Sequence, residues 1–222
     1  MVLDNFKGAI FDLDGTLIDS LSVWRNIWNV FGHKYLDGQK FNIAPTDDKA
    51  VRTMTLENAM NYLHYKYSLG KDGNELFIEA RRIITEFYTK TVSLKKGVLE
   101  FLEYCQQKGI RMCLASATDI GMLNLAVDRC GIRKYFQHII SCAETGKGKD
   151  QPDIFEKALS LLHTSIEETW VFEDSYTAIE TASNLGLKTV GIFDINNFDT
   201  DMVSKIATVF LGEGEMMQSL VE

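Results

Sequence analysis

Two aspartates, Asp12 and Asp14, stand at the end of the apolar run Gly8–Phe11 and open onto Gly15 and Thr16. Close carboxylates can divide labour: one attacks or binds a metal while the other carries a proton. Three later segments offer what such a pair would need. Ser116 ends the run Cys113–Ala115, and its hydroxyl can donate to a phosphate oxygen. Lys149, in the stretch Gly146–Asp153, is a point charge suited to phosphate. Glu173 and Asp174 close the run Trp170–Phe172, where uncompensated acids are costly and metal ligation would account for them.

Each feature also has a plain structural reading. An Asp-x-Asp-Gly segment can be a turn or open a calcium loop, but the calcium loop fails because its twelfth position, counted from Asp12, is Val23 rather than glutamate. Ser116 could cap the helix that follows, and Lys149 could be a solvated loop lysine. The acidic pair could complement a helix dipole. Together the four segments supply, in order, a nucleophile, an acid/base, a phosphate donor, a cation and Mg²⁺ ligands. The structural readings require four coincidences.

The elements that must position these residues are legible as short apolar runs. Gly8–Phe11, Arg111–Ala115, His138–Ser141, Trp170–Phe172 and Thr189–Ile192 read as strands buried on both faces. Helical patterns at Val98–Gln107, Met122–Cys130, Ile154–Leu162 and Tyr176–Leu185 separate them, with Asp153 as N-cap of the third. Gly109, Gly131 and Gly186 sit just past helical runs, where a left-handed residue is wanted. Alternating strand and helix predicts an α/β fold: a Rossmann-like parallel sheet covered by helices on both faces. In such sheets ligands bind off the carboxyl ends of the strands, where all four segments fall.

One region breaks the rhythm. Residues 19–91 hold helical patterns at Leu21–Phe31, Leu56–Tyr67 and Leu76–Tyr88 and no strand. That is too long for a loop and predicts an all-helical domain inserted into a core made of residues 1–18 and 92–222. Trp24 and Trp28, four apart, are expected in its core.

Composition narrows the function classes. The formal net charge of −8 disfavours non-specific nucleic-acid binding. No stretch approaches the ~20 apolar residues of a membrane helix, and the opening segment 1–7 does not read as an export signal. Four cysteines without Cys-x-x-Cys spacing fit a reduced, cytoplasmic setting, and the four histidines show no metal-ligand spacing.

With these residues in view, the chain resembles the haloacid dehalogenase superfamily of phosphohydrolases. The family's Asp-x-Asp-Gly-Thr motif matches Asp12 to Thr16, and its second-strand Ser/Thr matches Ser116. Its lysine before Pro-Asp matches Lys149, with Lys147 as the weaker candidate, and its acidic motif matches Glu173-Asp174-Ser175. Residues 19–91 resemble the family's helical cap. The resemblance implies a Mg²⁺-dependent phosphatase acting on a small phosphorylated metabolite such as a sugar phosphate. Asp12 would form an aspartyl-phosphate, and Asp14 would protonate the leaving group and then activate water. Mg²⁺ would be held by Asp12, the Asp14 carbonyl and Asp174, with help from Glu173. Ser116 and Lys149 would bind the phosphoryl group, and the cap would close over the site and select the leaving group. A monomer is expected.

The alternative is a sugar-phosphate mutase of the β-phosphoglucomutase type. It shares the acidic motif and is resembled at Arg52, a candidate anchor for a second phosphate, with Thr55; but those mutases usually carry a histidine where Trp24 stands. Ser20, Trp24, Arg52 and Lys90 are the candidate cap contacts. A receiver-type signalling module would be shorter and uncapped, and a non-catalytic family member would have lost a motif residue.

Overall fold

In a computed structural model describing residues 3–52 and 54–221, the first strand, β1, spans Gly8–Phe11. Positions 1 and 2 of the opening segment lie outside the described residues. Four helices follow: α1 (Val23–Tyr35), α2 (Pro45–Arg52), α3 (Leu56–Tyr67) and α4 (Gly73–Lys90). The chain then alternates through α5 (Val98–Gln107), β2 (Arg111–Ser116), α6 (Ile120–Arg129), β3 (His138–Ser141), α7 (Asp153–Leu162) and β4 (Thr169–Glu173). It ends with α8 (Tyr176–Asn184), β5 (Lys188–Ile192), α9 (Thr200–Ile206) and β6 (Val209–Leu211). Two compact units result, Met1–Leu21 with Val92–Glu222, and Ser22–Thr91.

The first unit is a six-stranded parallel sheet in the order β3-β2-β1-β4-β5-β6, the doubly wound Rossmann-like order. Its strands alternate side chains between two buried faces. Ile10, in register with Cys113 and Val171, packs with Ile154, Phe155 and Ala158 of α7 and Ala178 and Ala182 of α8. Phe11, one residue on, faces the other way and stacks on Phe172 at 4.5 Å between centroids, with Phe101 of α5 against both. Burying each such side chain contributes roughly 1.5–3 kcal/mol, which explains why the central strands are apolar throughout. Gly109, Gly131 and Gly186 all take positive φ just past α5, α6 and α8. Asp153 is not an N-cap; it lies in the first turn of α7, behind Pro152, and pairs with Lys147.

The second unit is all-helical. Ile27, Trp28 and Phe31 of α1 pack with Val51 of α2, Met60 and Leu63 of α3, and Leu76, Ala80 and Ile83 of α4. The Trp24 and Trp28 rings lie 5.5 Å apart. A polar tie joins α2 to α3: Asp47, although buried, accepts from Tyr62 Oη (2.8 Å), Lys66 Nζ (2.7 Å) and Tyr67 Oη. Among the described residues no helix is long and apolar enough to cross a membrane.

Candidate active site

Parallel register levels the carboxyl ends of the three central strands. Phe11 pairs with Leu114 on one side and Phe172 on the other, so Asp12, Ser116 and Glu173-Asp174 leave the sheet at one edge. The strand order reverses between β1 and β4, and Asp12 and Asp174 flank that switch point. The Asp12 N–H still donates to Phe172 O at 2.9 Å, which fixes the first aspartate before the chain turns away.

The turn depends on Gly15. Its φ is +84°, and a Cβ there would lie 2.5 Å from Asp174 Oδ2 and 2.8 Å from Asp174 Cγ. Only glycine lets the β1 loop approach the β4 acid this closely.

Asp12, Glu173 and Asp174 are all buried, and each offers a carboxylate oxygen within 4.8 Å of the others. The loop after β3 brings Lys149 to this cluster. Its ammonium donates to Asp12 Oδ1 at 2.5 Å and to Glu173 Oε1 at 2.7 Å, with the side chain 9% exposed. Lys147, the weaker candidate, is half exposed and turned to Asp153. The second Glu173 oxygen accepts the Ser175 N–H at 2.7 Å. Asp174 is held by Asn197, whose side-chain amide donates to its carbonyl (2.6 Å) and its Oδ2 (3.0 Å), and by Thr16 Oγ1 at 3.4 Å.

One ammonium does not balance three buried carboxylates. Burial, reinforced by Glu173 and Asp14, pushes Asp12 up to about 7 despite Lys149. Asp174 is pushed well above the ordinary carboxylate value, first by burial and then by Glu173 and Asp12. Burial also works against the Lys149 charge, but Asp12 and Glu173 outweigh it and hold its pKa above the ordinary lysine value. Lys149 therefore stays charged, and the surplus of acidic groups shows in the two aspartates, which hold protons more tightly than ordinary carboxyl groups. A hard cation would offset that surplus, and the donors are all oxygens, as Mg²⁺ requires. The residues fit such an ion.

Ser116 is buried at the end of β2, and its Oγ accepts the Thr118 N–H at 3.1 Å. It does not cap α6; Asp119 does, accepting from the Gly121 N–H at 3.0 Å. Arg52 lies in the helical unit on α2, where its guanidinium donates twice to Asp48 (2.9 and 3.0 Å) and lies over the Trp24 ring. Thr55 caps α3, accepting the Asn58 N–H, and Lys90 pairs with Glu86. Ser20 belongs to the sheet unit, and its buried hydroxyl has no hydrogen-bond partner among the described residues. The structure adds two residues that sequence reasoning missed: Asn197 on Asp174, and Thr118, whose hydroxyl donates to Asp14 Oδ2 at 2.8 Å. Neither belongs to a motif, and only the folding back of loops brings them to the site.

Comparison with known proteins bears on this geometry. Residues 9–192 match the model of a family described as haloacid dehalogenase-like hydrolase. A phosphorylated carbohydrates phosphatase of Thermotoga maritima is 26% identical over 188 residues, covering 83% of each chain. A validoxylamine A 7'-phosphate phosphatase of Streptomyces hygroscopicus is 25% identical over 189 residues, covering 84% of this chain and 85% of that one. Among solved structures, a Thermotoga maritima protein assigned as a β-phosphoglucomutase superposes with a TM-score of 0.79 at 19% identity, over 97% of each chain, and shares the fold.

Proposed function

The chain belongs to the haloacid dehalogenase-like hydrolase family, and on that premise we propose that it is a Mg²⁺-dependent phosphatase of a small phosphorylated metabolite, with Asp12 as nucleophile. The observation that carries this reading is the buried Lys149 ammonium bridging Asp12 and Glu173, with Asp174 in the same cluster. A sugar phosphate is the favoured substrate class, because the Thermotoga and Streptomyces relatives are named for phosphorylated carbohydrates and for a validoxylamine phosphate.

Asp12 attacks phosphorus in line; the bond to the leaving oxygen breaks as the Asp12–phosphorus bond forms. Asp14 gives its proton to the leaving oxygen. It then takes a proton from the water that attacks the aspartyl-phosphate, which releases phosphate and restores Asp12. Lys149 offsets the charge of nucleophile and phosphoryl group, and Ser116, buried at the end of β2, donates to an equatorial oxygen. Asp12, Asp174 and the Asp14 carbonyl would hold Mg²⁺, and Glu173, engaged with Lys149 and Ser175, completes the acidic cluster. When bound, the ion supplies charge neutralisation and orients the phosphate oxygens.

The contacts of Arg52 and Thr55 weigh against a sugar-phosphate mutase. Arg52 is paired with Asp48 and Thr55 serves as a helix cap, so the two groups suggested as a second phosphate anchor already have structural work. The test is phosphate release from sugar phosphates, nucleotides, phosphoglycolate and an aryl phosphate, with and without Mg²⁺, against Asp12→Asn. Mg²⁺-dependent release that the variant lacks is the expected result. Folded protein that releases phosphate from none of them would sink the reading.

A further inference from the structure

Thr118 lies between the end of β2 and the cap of α6, in no motif, yet three hydrogen bonds converge on it. Its N–H donates to Ser116 Oγ at 3.1 Å. Its carbonyl accepts from Ser141 Oγ at 2.8 Å, at the end of β3. Its hydroxyl donates to Asp14 Oδ2 at 2.8 Å, across 104 residues of sequence. Ser141 is itself buried and fixed by a capping box with Glu144, which Lys157 anchors at 2.7 Å. The ends of β1, β2 and β3 are thus tied together through this one residue, with its main chain held on both sides and its hydroxyl free to reach one carboxylate oxygen.

We infer that Thr118 is a positioning residue for proton transfer: its hydroxyl holds the Asp14 carboxyl group by Oδ2, in the orientation from which the group meets the leaving oxygen. This rests on the phosphatase reading above. A carboxyl group that must give a proton in one step and take one in the next has two equivalent oxygens and rotates about its Cβ–Cγ bond. A hydroxyl donor on Oδ2 restricts that rotation in both protonation states, because Oδ2 accepts whether or not Oδ1 carries the proton. In the first step the proton moves from Asp14 Oδ1 to the leaving oxygen as its bond to phosphorus breaks. In the second, Oδ1 recovers a proton from the attacking water.

The test is the leaving-group dependence of kcat/KM, which reports the first step, for Thr118→Val and Thr118→Ser with Mg²⁺ present. An alkyl or sugar phosphate leaves as a basic alkoxide and needs the acid; p-nitrophenyl phosphate leaves as a stable phenolate and does not. General acid catalysis is worth roughly 10²–10⁴-fold, and misplacing the acid forfeits part of it. Thr118→Val is therefore expected to lower kcat/KM about 10- to 100-fold on the sugar phosphate and under about threefold on the aryl ester. Thr118→Ser keeps the hydroxyl and is expected to stay within about threefold of the parent on both. Loss of packing would instead depress both substrates in proportion. A parent active on both esters, with equal losses or none in Thr118→Val, would overturn the assignment of Thr118 and leave the phosphatase reading standing. A parent that hydrolyses no phosphate ester overturns both.

Discussion

Lys149 offers the sharpest physical test of the site. It is the ammonium that bridges Asp12 and Glu173, and its side chain is almost fully enclosed. Lys149→Met keeps the length of the stem and removes the charge, leaving three carboxylates within 4.8 Å of one another. Breaking a buried ion pair by removing one partner costs about 3–5 kcal/mol, because the remaining charge stays desolvated. For a chain of this size each kcal/mol shifts Tm by about 2–4 °C, so a fall of about 6–20 °C is expected in EDTA. The sign with pH follows from the raised carboxyl groups. Lys149 lowers the Asp12 pKa, so without it this carboxyl group titrates above the parent's value of about 7; the deficit is largest at high pH, where the variant must bury ionised carboxylates, and shrinks as pH falls and they take up protons. Adding Glu173→Gln should recover part of the loss, with a coupling of roughly 0.5–3 kcal/mol. Calorimetry of the parent, both single variants and the double variant reads all of this. A Tm change under about 2 °C at about pH 8 without divalent ions, with additive double-variant behaviour, would refute the argument that Lys149 balances the cluster.

Other consequences can be checked separately. Asn197 donates twice to Asp174, so Asn197→Ala is expected to raise the Mg²⁺ concentration for half-maximal activity about 10-fold or more; an unchanged Mg²⁺ titration contradicts the positioning role. Gly15→Ala drives a Cβ into the Asp174 carboxylate at positive φ, and should abolish Mg²⁺-induced thermal stabilisation; retention of the full shift would show the loop can yield. In the helical unit, Lys66, Tyr67 and Tyr62 together hold Asp47 down to about 2, outweighing the effect of burial. A carboxyl group lowered in the fold stabilises above its ordinary value of 3.8 and loses that contribution as pH falls through about 2. The parent's Tm should thus fall more steeply than that of Asp47→Asn between about pH 4 and 2, whereas parallel curves would exclude the linkage.

Much of the architecture is written in hydrophobic pattern. The five strands read from sequence are apolar on both faces because α5, α7 and α8 cover them, and the structure extends each by no more than a residue at either end. The strand β6 escaped because it is three residues long at the sheet edge, with only Leu211 fully buried. The helix α2 escaped because its buried positions are Val51 and Asp47, and an aspartate satisfied by two tyrosines and a lysine breaks the apolar period. The helix α9 buries Val203 alone. At the candidate site, Asp12, Ser116 and Glu173-Asp174 were legible because strand ends fix their neighbourhood, and Lys149 because its charge stands out in the loop that follows β3. Thr118 and Asn197 were not: their roles depend on loop returns that no spacing rule encodes. Ser116 as a helix cap is displaced by Asp119, three residues on, which leaves its hydroxyl at the strand end.

The central claim is that Asp12 accepts the phosphoryl group. Its most direct test is rapid acid quench of the parent during turnover of a sugar phosphate with Mg²⁺, followed by mass analysis of the peptide carrying Asp12 and Asp14. One phosphoryl group on Asp12, absent from Asp12→Asn, is the expected result. Phosphate release at full rate from Asp12→Asn, or a phosphoryl group on Asp14 instead, would contradict the account.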